Sequence, residues 1–180
     1  MSCLASNQPF VIKGLKVIWA DVNPLSGTLS VDDVRSRITS KTKAIFHNHY
    51  CGYLGEIDAM NALGKEFEIP VIDDCIEAFG SELHGKKTGN LGTDITVFSF
   101  QTVRLPNTIE GGALVFNNQE MFQIDLSICA SIFPNTQRQR CGWHMVDRTW
   151  NTGKKLPMRG VKMSLEMEEI KREIFNWLYS

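Results

Sequence analysis

The sequence predicts an α/β fold with a mostly parallel sheet and helices on both faces. Three observations carry that expectation. Over residues 1–133, short β-rich runs alternate with segments whose apolar residues recur at helical spacing. Pro70–Asp74 (PVIDD) is a compact run of the kind that forms a buried strand. The 180 residues, 43% hydrophobic and 22% charged, are enough for one ordinary domain with a sizeable core.

Each element has its own local reason. Lys16–Val22 (KVIWADV) reads as a short strand and is followed by the turn-rich NPLSGT. Ser30 is placed to cap a helix through Ile38, with Asp32 and Asp33 in its first turn, where the helix dipole favours negative charge. Ala44–Asn48 is strand-like. Ile57, Met60, Leu63 and Phe67 then mark one face of a helix, and Pro70 closes that segment. After the strand at Pro70–Asp74, Glu82–Gly89 holds an H-G-K-K turn and reads as a small hairpin. Ile95–Phe100 and Ala113–Phe116 are further strands, the second entered through Gly111-Gly112. Residues 134–164 hold seven Lys or Arg and one acidic residue, with turn formers and no periodicity, and read as a basic, solvated loop. Met167, Ile170, Ile174 and Leu178 line one face of a final helix over 165–180.

Composition narrows the function classes. Nineteen Lys plus Arg against twenty Asp plus Glu leave a formal charge of −1, which argues against a nucleic-acid binder that rests on a strong positive field. The amino terminus has no cationic start followed by a long apolar run, and no stretch approaches the roughly 20 apolar residues that cross a bilayer. Cys3, Cys51, Cys75, Cys129 and Cys141 are odd in number and contain no C-x-x-C pair, so neither a disulfide framework nor a structural zinc site is expected. The expectation is a cytoplasmic protein without a nucleic-acid or membrane partner.

In an open α/β sheet, ligands gather beyond the carboxyl ends of the strands. Asp74 stands at such an end, where a carboxylate pairs with a cationic ring nitrogen or a metal, or caps the following turn. Asp73 points to the opposite face if the strand persists. Ser99, between Phe98 and Phe100, is either a satisfied core serine or a phosphate contact. His84 reads as a surface residue. Of His47 and His49, only one is expected to face the core. Together with Glu56, Asp73 and Asp74 they raise a metal-dependent hydrolase as an alternative, although the spacing matches no ligand signature.

The order of these pieces is more specific than any one of them. VIWADVNPLSGTLSVDDV, SKTKAIFHNHYCGYLGEIDAM, PVIDDCIEAFGSELHGKKTGNLGTDITVFSFQ and TIEGGALVFNN follow one another collinearly over residues 2–118. In this the sequence resembles the sugar aminotransferases of the DegT/DnrJ/EryC1/StrS family, a branch of the fold-type-I pyridoxal-phosphate enzymes. CGWHMVDR and LPMRGVKMSLEMEEI extend a fainter likeness beyond Cys141. The resemblance implies part of an aspartate-aminotransferase-like large domain, with pyridoxal phosphate as cofactor. It also implies transfer of an amino group from glutamate to a nucleotide-linked keto-deoxysugar.

By position, the resemblance gives Asp74 the role of pairing with the protonated pyridine nitrogen, which strengthens the ring as an electron sink. Glu77 falls where the family usually has Gln or His beside the ring. Ser99 matches a phosphate-binding serine, and Lys162 lies near a position that reaches the partner subunit's phosphate. The family's Schiff-base lysine should stand five residues after that serine, where this chain has Arg104. A Schiff base needs a neutral amine, whereas a guanidinium stays protonated, with a pKa above about 12. Arg104 can still grip a phosphate or carboxylate through paired hydrogen bonds. The expectation is therefore impaired catalysis, with any pyridoxal phosphate held non-covalently.

Family members are longer, with a further phosphate-binding turn before the matched region and a small domain after it. The expected organisation is a partial large domain over 1–133, a basic loop over 134–164 and a terminal helix over 165–180. A homodimer or a complementary chain is the implied partner, and a non-catalytic binding subunit is the alternative function.

Overall fold

The computed structural model describes residues 4–101, 103, 104, 112–117, 119–121, 123 and 143–147. In chain order the elements are α1 (Leu4–Ile12), α2 (Val31–Arg37), β1 (Ile45–Asn48), α3 (Ile57–Phe67), β2 (Val71–Asp74), β3 (Glu82–Leu83), β4 (Lys86–Lys87), β5 (Ile95–Ser99), β6 (Gly112–Phe116) and β7 (Trp143–Asp147). One sheet runs in the order β1-β2-β5-β6-β7, and β3 and β4 form a separate hairpin. β1, β2 and β5 are mutually parallel, β6 is antiparallel to β5, and β7 is parallel to β6. The mostly parallel α/β sheet is as expected.

Alternation along β1 assigns the faces. Ile45 joins Met60, Leu63 and Val71 in a core cluster under α2 and α3. Phe46, one residue on, turns the other way and meets Phe10 of α1 edge-on, with ring centroids 5.2 Å apart. Helices thus cover both faces of the sheet. α3 is held by the wholly buried Ile57, Met60 and Leu63, each burial contributing about 1.5–3 kcal/mol. Gly64 lets the helix lie close to β2, because a Cβ there would come within 2.4 Å of Val71 Cγ2 and 2.7 Å of the Ile69 carbonyl. α3 ends in the left-handed Glu68, whose N–H bonds back to the carbonyls of Gly64 and Lys65. α2 begins as its sequence dictates, with the Ser30 side chain accepting the Asp33 N–H. Further across the α3 side, Phe98, Phe100, Ala113, Val115, Cys75 and Ala78 form a second cluster.

Two expectations need correction, and one helix carries no signal in the sequence. Lys16–Val22 is not a strand: it makes one isolated bridge, Val22 to Leu29, and leaves Ile18 and Trp19 exposed. Its backbone closes on the NPLSGT turn, with Ser30 N–H bonding to the Asp21 carbonyl, so no ladder to β1 forms. α1 was not foreseen, because Pro9 lies inside it and lacks the N–H an interior helical position uses. The stretch 134–164 is not a loop throughout, since Trp143–Asp147 forms β7. Its pairing with β6 is long-range and leaves no local periodicity. The rest of that stretch, Gly111, Lys162 and the helix expected over 165–180 lie outside the described residues. Among the described residues, no helix is long and apolar enough to cross a membrane.

Candidate functional site

The parallel register brings three strand ends to one edge of the sheet. Asn48 stands opposite Asp74, and Asp74 opposite Val97. Ser99, two residues beyond Val97, shares the face of Asp74 and lies about 6–7 Å further along β5. This is the α1 face.

Asp74 is buried and well supplied with donors. Asn48 Nδ2 donates to Oδ2, and the Ile76 N–H donates to Oδ1 at 3.1 Å. Burial pushes its carboxyl up from the ordinary value, against the hydrogen bonds from Ser6, Ile76 and Asn48. Neither Asn48 nor Ser6 is visible as a site residue in the sequence, because only the register and the docking of α1 bring them to Asp74.

Beyond the strand ends, Glu77 links two loops. Its Oε2 accepts the Cys51 N–H at 3.3 Å, and its Oε1 accepts Arg104 Nη1 at 3.1 Å. Among the described residues, Arg104 Nε is buried without a hydrogen-bond partner. Ser99 Oγ accepts the Gln101 N–H at 3.4 Å, which leaves its own O–H to donate elsewhere. The structure therefore brings Asp74 and Ser99 onto one face and pairs Glu77 with Arg104. Lys162 lies outside the described residues.

The opposite face carries a different group. His47 and His49 are two residues apart on an extended chain and so share a face, and both are buried. This corrects the expectation that only one of them faces the core. His47 Nδ1 donates to Asp73 Oδ1 at 3.3 Å, His49 Nε2 lies 3.5 Å from the same oxygen, and Thr93 Oγ1 donates to Asp73 Oδ2 at 2.6 Å. Burial lowers the pKa of His47, so the ring is neutral and its contact with Asp73 is a hydrogen bond rather than an ion pair. For Asp73, burial acts to raise the pKa, but His47 and His49 outweigh it and hold the carboxyl well below the carboxylate range. Asp74 turns away from this group, and Glu56 is exposed. The five residues considered for a metal-dependent hydrolase therefore do not form one site. His84 is exposed, as expected, with Nε2 3.0 Å from Asp58 Oδ2.

Comparison with known proteins adds a consistent picture. A model of the DegT/DnrJ/EryC1/StrS aminotransferase family matches residues 1–172. The chain is 35% identical over 122 residues to the GDP-perosamine synthase of Escherichia coli O157:H7, covering 68% of this chain and 33% of that protein. Among solved structures it is similar to 3-amino-5-hydroxybenzoic acid synthase, with a TM-score of 0.65 and 28% identity over 71% of this chain and 33% of that one. It is also similar to Helicobacter pylori PseC, an aminotransferase involved in the biosynthesis of pseudoaminic acid, with a TM-score of 0.66 and 28% identity over 72% of this chain and 34% of that one. The chain spans about a third of the length of the curated relatives it matches.

Proposed function

The chain belongs to the DegT/DnrJ/EryC1/StrS aminotransferase family, and from that premise we propose that it holds pyridoxal phosphate without a covalent bond and does not transaminate by itself. The observation that carries this reading is Arg104, tied to Glu77 beside the end of β5, where the family resemblance puts the lysine. A guanidinium has no neutral amine to attack an aldehyde and no proton to shuttle at neutral pH.

The other residues at the edge suit the cofactor. Asp74 would pair with the ring nitrogen, since a protonated ring next to it would offset the burial that disfavours its charge. Ser99 has a hydroxyl proton to give to a phosphate, and Arg104 Nε is a buried donor without an acceptor among the described residues. When bound, pyridoxal phosphate supplies the electron sink through which amino groups are exchanged. Glu77 would stand beside the ring, and Lys162 would reach the phosphate of a second subunit. Nucleotide-linked keto-deoxysugars are the ligand class this reading assigns. A second copy or a complementary chain would be the partner, and the cytoplasm the compartment.

The test is spectroscopic. With pyridoxal phosphate, the wild-type chain should gain thermal stability but retain no cofactor mass after borohydride reduction and denaturation. Arg104→Lys should then carry that mass at position 104. A covalent adduct on the wild-type chain, with amino transfer from glutamate, would overturn the reading. No thermal shift with either pyridoxal phosphate or a nucleotide sugar would remove its binding half.

A further inference from the structure

We propose that His47, His49 and Asp73 form a buried site for one divalent transition-metal ion of the zinc class, on the face of the sheet opposite Asp74. It does not rest on the proposed cofactor binding. β1 and the residue just after its end present both imidazoles on one face, and the parallel register sets Asp73 directly opposite His47. Their ligand atoms all lie within 4.8 Å of one another. His47 Nδ1 and His49 Nε2 are 3.3 and 3.5 Å from Asp73 Oδ1. Around a tetrahedral ion with bonds of about 2.0–2.2 Å, neighbouring ligand atoms stand about 3.3–3.5 Å apart. Two of the three donor spacings are thus those a metal would set, and the third, between the two imidazoles, lies within 4.8 Å and would adjust as the ion binds.

The donor chemistry selects the ion. Two neutral imidazoles and one carboxylate suit zinc, cobalt or nickel, whereas magnesium and calcium prefer all-oxygen sets. The carboxylate is oriented from outside by Thr93 Oγ1, which donates to its other oxygen at 2.6 Å, an outer support of the kind metal sites use. Among the described residues His49 Nε2, one of the three ligand atoms, is fully buried and makes no hydrogen bond of good geometry, its 3.5 Å approach being to Asp73 Oδ1 itself.

Metal binding sets the tautomer of each ring. Binding through His49 Nε2 puts the ring proton on Nδ1, facing the Gly55 N–H that now donates there at 3.3 Å, so that hydrogen bond is lost and the two donors must move apart. Binding through His47 Nδ1 puts the proton on Nε2, which is without a hydrogen-bond partner among the described residues. That atom and Thr28 Oγ1 border the same space beside Gly55, at 2.4 and 2.5 Å from where its Cβ would stand. Both rings, bound as neutral imidazoles, thus change tautomer. The ion would fasten edge strand β1 to β2 one residue before Asn48 and Asp74, a structural rather than catalytic part.

The test uses the whole 180-residue chain, stripped with chelator and titrated with zinc(II), with magnesium(II) as control. Expected are one zinc per chain, a rise in Tm on the order of 5–10 °C at about a hundredfold excess over Kd, and no response to magnesium. Cobalt(II) should give the intense visible bands of a tetrahedral site without the near-ultraviolet band of a thiolate ligand, a measurement on the wild-type chain that needs no folded variant. His84→Ala, on the surface, should bind zinc unchanged. His47→Asn should lose more than the about 10–100-fold in affinity that removal of an outer-shell partner costs. No zinc uptake by the wild type, thiolate bands in the cobalt form, loss of binding in His84→Ala or retained affinity in His47→Asn would each overturn the proposal.

Discussion

Asp73 and Asp74 are consecutive residues of one strand, both buried, yet their surroundings push them in opposite directions. Asp73 faces α3 and is enclosed by His47, His49 and Thr93, which hold its charge despite burial. Asp74 faces α1 and receives Asn48, Ser6 and the Ile76 N–H, and there burial prevails and disfavours the charge. One face has already supplied its carboxylate with stabilising partners. The other keeps an incompletely compensated carboxylate at a sheet edge where ligands bind in this class of fold. Pleat alternation alone separates the two environments.

The largest expected effect lies on the α3 face. In metal-free protein, Asp73→Ala removes the acceptor of His47 Nδ1–H and Thr93 Oγ1–H and an oxygen 3.5 Å from His49 Nε2. Buried donors left unpaired cost about 1–3 kcal/mol each, so the two lost hydrogen bonds give an expected loss of at least about 2 kcal/mol from the urea midpoint. A loss below 1 kcal/mol would show that this face is not closed as described. Gly55→Ala should come next. No left-handed backbone is involved, so the whole penalty is the clash of the new Cβ with His47 Nε2 and Thr28 Oγ1. About 1–3 kcal/mol is the usual range for overpacking.

On the α1 face the same measurement should read much less. Asp74→Asn keeps the shape, retains an oxygen for the Ile76 N–H and removes a charge that burial disfavours, while its new NH2 is accommodated if Asn48 turns its amide to present Oδ1 in place of Nδ2. Stability in urea should change by less than about 1 kcal/mol, while the thermal shift from pyridoxal phosphate should disappear. A large destabilisation with the ligand response intact would reverse the assignment of the two faces.

How much of this was legible in sequence depended on the range of the signal. The cap at Ser30, the apolar face of α3 and the short strands around Ile45, Val71, Ile95 and Ala113 are local and were readable. Asp74, Ser99, Glu77 and Arg104 were singled out through ordered motifs. The union of His47, His49 and Asp73 required the register of β1 on β2, which one strand does not encode. The shared face of the two histidines, by contrast, follows from a spacing of two and lay open to correct reading. The expected strand at Lys16–Val22 failed because β-rich composition fixes no partner. β7 escaped notice because its partner β6 lies far back in the chain.

The smallest stability effect should come from Glu77→Gln, which restores a residue that the family resemblance puts beside the cofactor. The Glu77–Arg104 pair is 3.1 Å long, with side chains 39% and 24% exposed, so solvent screens it, and such pairs contribute about 0–1 kcal/mol. Glutamine keeps an oxygen for the Cys51 N–H but gives up the charge that holds Arg104. The urea midpoint should therefore barely move. Arg104, released from its counter-charge, should bind inorganic phosphate more tightly than in the wild type, in a salt-dependent manner. If this exchange instead destabilises the chain by as much as Gly55→Ala does, Glu77 is a structural clasp like Asp73, and the contrast between a closed and an available face fails at its most exposed residue.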